Sequence, residues 1–207
     1  MTDTQLETIR QWLGSGSINL FGRPFAGKDT QGRLLAEAFG GALLGGGDIL
    51  RGSNMPDAIK ALMRTGELIP TDDYIAIVLP FLQHHTFVAK PLILSSVGRW
   101  HGEEPGVIQA ASESGHPLKA VIYLDLDEDT VRSRWQRFHG SNERGQRHDD
   151  TAEVLEIRLQ EYRQKTLPVI EFYRAQGLLI EIDGGQTPKQ VQTAILQALL
   201  NRASTSP

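Results

Sequence analysis

The chain has 207 residues, 22% charged and 40% hydrophobic, with 21 Lys and Arg against 25 Asp and Glu, a formal net charge of -4 and a pI near 5.9. That balance describes one domain with a full core, and it excludes a general electrostatic pull toward nucleic acid or an anionic membrane, so an anion site has to be a local cluster of bases. The absence of cysteine excludes disulfides, thiolate zinc sites and a cysteine nucleophile, and with no apolar run of about 18 residues and no secretory pattern at the N-terminus, a protein of the cytoplasm with no membrane span is expected.

Leu6, Ile9, Trp12 and Leu13 recur at helical spacing, which predicts an N-terminal helical extension over residues 1–16, with its helix across 2–13 and Gly14-Ser15-Gly16 as the stop. Apolar runs then recur at 18–21, 42–44, 92–94, 121–126 and 178–182, separated by helix-like stretches. Five buried strands alternating with helices predict an α/β domain around a mainly parallel sheet. Thr187-Pro188-Lys189-Gln190 combines a cap, a proline at the first helical position and a glutamine three after the cap, opening a last helix through Leu200. A long helical stretch over 151–176 contains Pro168, where a break or kink is expected. Residues 203–207 read as a frayed tail.

The stretch 21–31, Phe-Gly-Arg-Pro-Phe-Ala-Gly-Lys-Asp-Thr-Gln, carries the clearest chemistry. Gly22 and Gly27 have four residues between them, and Lys28 follows, between a predicted strand and a predicted helix. In such a loop, backbone N–H groups turn inward around an anion, the helix N-terminus adds partial positive charge, and the lysine reaches the outer phosphates. A glycine turn with a surface lysine is the plain alternative, and the flanking strand and helix favour the phosphate cradle. The strict pattern places Ser or Thr directly after the lysine; here Asp29 stands there, and Thr30 one later. Two further regions read as insertions: 51–84, two helices around a turn at 64–70, and the polar loop 138–150.

From residue 18 to about 200 the chain resembles the adenylate kinases and the wider nucleoside monophosphate kinase family. Five landmarks fall in the family's order: the phosphate loop 21–31; Gly47-Asp48-Ile49-Leu50-Arg51; Gly66-Glu67-Leu68-Ile69-Pro70; Arg99; and Arg147-His148-Asp149-Asp150 followed by Arg158. Residues 166–173 also look like the family's penultimate helix. The resemblance implies a P-loop NTPase-type three-layer sandwich with a central five-stranded parallel sheet, one domain over 17–202, a helical acceptor-binding insertion at 51–84 and a short lid at 138–150 without zinc.

It further implies Mg²⁺-dependent transfer from ATP to AMP, giving two ADP, by a protein read as a monomer whose partners are small nucleotides. The ATP side falls on Gly22, Pro24, Phe25, Ala26, Gly27, Lys28, Asp29, Thr30, Arg134 and Gln186. The AMP side falls on Gly46, Arg51, Gly66, Leu68, Ile69, Arg99 and Glu103. Lys28, Arg134, Arg147 and Arg158 would surround the transferring phosphoryl, a reaction that needs alignment and positive charge more than covalent chemistry. By themselves Arg134 and Arg158 read as members of solvated, salt-bridging helix faces. Arg137 stands as a shifted substitute for a second lid arginine.

Some positions depart from the family pattern. Ser95 stands where an aspartate helps to hold the waters around Mg²⁺, Phe25 and Asp29 replace glycines, and Gly46 replaces a threonine beside the acceptor. Glu103, or His101 if the loop carries a small deletion, stands for the glutamine that reads adenine. Asp29 and Ser95 form one hypothesis, in which the carboxylate at 29 supplies what position 95 lacks. A kinase for GMP, CMP or UMP, and a nucleotide-binding sensor with weakened transfer, remain as alternatives.

Overall fold

The central strand is buried along its whole length, and its side chains feed apolar clusters on two opposite faces. On β1 (Ser17–Gly22), Ile18 and Leu20 join one apolar cluster, whereas Phe21 joins another on the opposite face. The computed structural model describes residues 1–52, 56–83, 87–140 and 151–205. Its sheet has the order β2-β3-β1-β4-β5 and every pairing is parallel, with β2 at Ala42–Gly45, β3 at Leu92–Ser95, β4 at Leu118–Asp125 and β5 at Leu179–Asp183. All five strands lie where the apolar runs predict them, with ends shifted by at most three residues.

One face carries α1 (Asp3–Leu13), α2 (Lys28–Phe39), α7 (Glu128–Gly140), α8 (Ala152–Glu161) and α10 (Pro188–Thr205), whose apolar residues share a cluster with Ile18, Leu20, Ile93, Ile122 and Ile180. Against the other face lie α6 (Glu104–Glu113) and α9 (Leu167–Ala175), with Val107 beside Leu92 and Leu94 and with Val169 and Ile170 beside Phe21 and Val121. The region predicted as two helices around a turn holds α4 (Asp57–Thr65) and α5 (Thr71–Val78), followed by a 3₁₀ turn over Leu79–Gln83. A short helix, α3 (Gly46–Gly52), precedes them.

The break expected near Pro168 is a π turn over Tyr162–Thr166, closed by the Leu167 N–H on the Tyr162 carbonyl. Pro168 cannot donate and crowds the carbonyl four residues before it, so the chain widens by one residue there. Thr187 caps α10 with Gln190 as predicted, the two side chains each accepting the other's backbone N–H. The helix then runs past residue 200 to Thr205, into the stretch expected to fray.

Thr2 and Gln5 close a capping box on α1, and Gly14 stops it with φ 54°. Ile9 and Leu13 are at most 1% exposed and belong to the main cluster with Ile195 and Leu199 of α10. Arg10 fastens the helix further, with Nε and Nη2 donating to the Ala38 carbonyl at 3.0 and 2.7 Å. The N-terminal helix therefore completes the core. Ile9→Ala should lower the unfolding free energy by about 2–4 kcal/mol, read from urea denaturation; a loss below about 0.5 kcal/mol would show α1 to be a loosely attached extension.

Candidate active site

The strand-to-helix turn after β1 is shaped by close approach. A Cβ at Gly22 would lie 2.8 Å from the Leu124 carbonyl, and Gly27 has φ 95° as it enters α2, which it caps without a side-chain hydrogen bond. The N–H groups of the first α2 turn thus face the loop, as an anion site requires. The Lys28 ammonium donates to the carbonyls of Gly22 at 2.7 Å and Arg23 at 2.8 Å. Burial within the loop, with Arg99 adding to it and Asp29 opposing it, lowers its pKa to about 8. Arg23 anchors the loop from beneath, donating to the Leu126 carbonyl at 2.8 Å and lying over the Tyr162 ring.

Phe25 takes a left-handed conformation, φ 60°, which favours the glycine that the resemblance expects. Its carbonyl accepts from Arg134 Nη1 at 3.1 Å and its ring meets Phe138 of α7 edge-on, with centroids 5.8 Å apart. The aromatic ring therefore packs beside the cradle on α7.

The loop after β3 forms the opposite wall. Buried Asn19 on β1 donates to the Val97 carbonyl at 2.7 Å and accepts from the Val97 N–H at 3.3 Å. The Tyr74 hydroxyl accepts the Gly98 N–H at 2.9 Å, and Thr166 Oγ1 donates to the Arg99 carbonyl at 3.0 Å. These bonds fix the backbone from which Arg99 projects. Arg99 reaches the surface, yet desolvation by the walls around its guanidinium lowers its pKa; Tyr74 opposes that shift, Arg158 reinforces it, and Glu103 and Glu161 oppose it. Lys28, Arg99 and Arg158, from three separate elements, are thus close enough for Arg99 to depress Lys28 and for Arg158 to depress Arg99.

Ser95 Oγ donates to Asp29 Oδ1 at 3.2 Å across the end of the sheet. The carboxylate after the loop lysine and the hydroxyl where an acid is absent therefore share one place. Hard oxygen donors of this kind suit Mg²⁺. Among the described residues, no group of three or more His, Asp or Glu side chains is clustered for a metal ion, so any ion here would complete its shell from phosphates and water.

On the predicted acceptor side, Gly66 (φ 89°) ends α4 against α8, and a Cβ there would meet Arg158 Cγ and Val154 at 3.1 Å. The Leu68 N–H is taken by Glu161 Oε2 at 3.0 Å, and Ile69 is buried in the apolar cluster beneath. Glu103 lies in the wall, 2% exposed, accepting from the Trp100 N–H at 3.1 Å and from the Thr71 hydroxyl. Burial raises its pKa to about 7, against the opposing pull of those bonds and of Arg99. His101 turns away, paired with Glu104 at 2.8 Å, so Glu103 is the better placed of the two.

Toward the lid, Arg134 Nη2 donates to the Gly184 carbonyl at 2.7 Å, tying α7 to the turn that holds Gln186. Burial lowers the Arg134 pKa and Arg137 adds to the effect, while Asp127 and Asp183 oppose it. Arg137 is exposed and bonds back to the Ser133 carbonyl of its own helix. Gln186 is exposed and donates to Asp183. Pro24, Ala26 and Thr30 lie around the loop and the first turn of α2. Arg147 lies outside the described residues, and so does the Arg51 side chain, whose backbone is part of α3. Sequence reasoning missed Asn19, Tyr74, Thr166 and Glu161; only Asn19 left a signal, a polar residue inside an apolar strand.

The adenylate kinase family model matches residues 20–178. An adenylate kinase of Thermus thermophilus is 31% identical over 188 residues, covering 88% of this chain and 96% of its own length. One from Stenotrophomonas maltophilia is 33% identical over 185 residues, covering 87% and 97%, and one from Vanderwaltozyma polyspora is 30% identical over 209 residues, covering 87% and 94%.

Proposed function

The chain belongs to the adenylate kinase family, and on that premise we propose that it transfers the terminal phosphoryl group of ATP to AMP, giving two ADP. The convergence of Lys28, Arg99 and Arg158 carries this reading, because mutually unfavourable cations from separate elements gain most when an anion lies between them. The turn before α2 holds the donor phosphates on backbone N–H groups while Lys28 exchanges its two carbonyls for phosphate oxygens. Arg99, with Arg51 by family position, holds the acceptor phosphate. Arg158, Arg134 and Arg147 close on the transferring group, and the donor base lies near Arg134 and Gln186. The backbone of Gly66, Leu68 and Ile69 lines the acceptor base. The insertion and the lid close over both nucleotides and exclude water. The protein works as a monomer in the cytoplasm.

Mg²⁺ on the donor phosphates neutralises charge that develops in transfer. Asp29, held by Ser95, is the residue that would face it, directly or through water. Glu103 suits adenine when protonated: the carboxylic acid offers one O–H donor and one C=O acceptor, matching the adenine ring nitrogen and amino group, whereas the carboxylate only accepts, as the guanine edge requires.

Incubation with Mg²⁺·ATP and each monophosphate in turn should yield diphosphate fastest with AMP, and Lys28→Met should reduce kcat/KM at least about 100-fold. Turnover with none of the four, despite nucleotide binding, would leave a sensor.

Asp29→Asn should weaken Mn²⁺ binding to the ATP complex several-fold by electron paramagnetic resonance, and Ser95→Asp should restore it in the double variant. If Asp29→Gly instead raised activity at saturating Mg²⁺, Asp29 would be a burden on the site.

Glu103 should also make acceptor choice depend on pH. Its acid form dominates below about pH 7, with Arg99, Tyr74 and Tyr173 as the other titratable groups around it. The ratio of kcat/KM for AMP over GMP should therefore fall between pH 6 and pH 8, and Glu103→Gln should flatten that profile. A flat profile in the parent protein would remove Glu103 from base reading.

A further inference from the structure

We propose that the Tyr74 hydroxyl is an acceptor-binding group, donating its hydrogen bond to a phosphate oxygen of the nucleoside monophosphate. The inference rests on the acceptor side assigned under Proposed function and adds a residue to it.

Tyr74 projects from α5 and is 5% exposed. Its hydroxyl reaches the start of α3: a Cβ at Gly46 would lie 2.8 Å from it and 3.2 Å from the Ser96 carbonyl. A side chain at position 46 would have to displace the Tyr74 hydroxyl, so the glycine there and Tyr74 share one space. A hydroxyl lost from one element returns from another.

The Tyr74 oxygen accepts the Gly98 N–H, but among the described residues its own proton meets no acceptor. Leaving a buried donor without a partner is unfavourable, so it is best explained by a ligand that completes it. The neighbourhood supplies the ligand's chemistry. Tyr74 is close enough to Arg99 and Glu103 to feel both charges, and Arg99 projects from the loop that Tyr74 itself holds through Gly98. Burial raises the pKa of the phenol, which keeps it a donor across the physiological range. A neutral O–H beside a guanidinium complements a phosphate oxygen without adding to the repulsion among Lys28, Arg99 and Arg158.

Tyr74→Phe keeps the ring and removes only the hydroxyl. It should raise the AMP KM and the calorimetric Kd for AMP about 5–20-fold, while the ATP KM stays within about 2-fold. Gly46→Thr alone should weaken AMP binding through the clash, and the Gly46→Thr, Tyr74→Val double variant, with a hydroxyl again available from position 46, should bind AMP better than Tyr74→Val. An unchanged AMP Kd in Tyr74→Phe, or an equal rise in both nucleotides' KM, would overturn the proposal, the latter marking a loop effect through Gly98. The binding measurement separates the two readings: if the parent binds AMP without transferring to it, the kinase assignment fails while the fate of Tyr74 is still read from the Kd.

Discussion

Everything at the candidate site depends on the parallel register of the central strands. Leu20 pairs with Ser95, Gly45 pairs with the same Ser95, and Gly22 pairs with Leu124. The carboxyl ends of β1, β2, β3 and β4 therefore stop close to one level, and the loops that leave them open on the same edge, the edge where open α/β sheets bind ligands. Asn19 shows how firmly that level is held. Its buried amide bridges to Val97 with both a donor and an acceptor, so the β3 loop cannot slide relative to the phosphate loop without breaking two bonds away from water.

Around that edge the electrostatics are balanced and never neutral. Arg99 bears on Lys28 and Arg158 on Arg99, while Asp29 opposes the effect at Lys28 and Glu103 and Glu161 oppose it at Arg99. Glu161 also takes the Leu68 N–H and the Lys165 ammonium, which joins the turn after α4 to α8. Such a cluster is preorganised, because the cost of bringing the charges together is met by folding before any ligand arrives.

Much of this was legible in local pattern. Apolar runs separated by helix-like stretches located all five strands, the Thr187 cap located α10, and the spacing of Gly22, Gly27 and Lys28 marked the strand-to-helix turn after β1, because each signal lies within a few residues of the structure it specifies. The π turn was foreseen only as a disturbance at Pro168, since a widened turn depends on what α8 and α9 pack against. Two departures from a shared pattern suggested that Asp29 supplies the carboxylate that position 95 lacks, and the hydrogen bond between the two side chains brings them together. Tyr74 could not be read at all: its partner positions, 46 and 98, lie far from it along the chain, and an aromatic residue on an amphipathic helix reads as core, which most of its ring is.

The Lys28 clasp has a kinetic and selective meaning of its own. Its ammonium already holds two carbonyl oxygens at 2.7 and 2.8 Å, so an arriving anion gains only the difference between those bonds and its own. A singly or doubly charged ion has little advantage over the pair it displaces; a polyphosphate brings several charges and reaches the α2 N-terminus with the same group. On the reading proposed above, the loop would respond to charge density more than to the mere presence of an anion, and its two carbonyl bonds give it a shape of its own when none is bound.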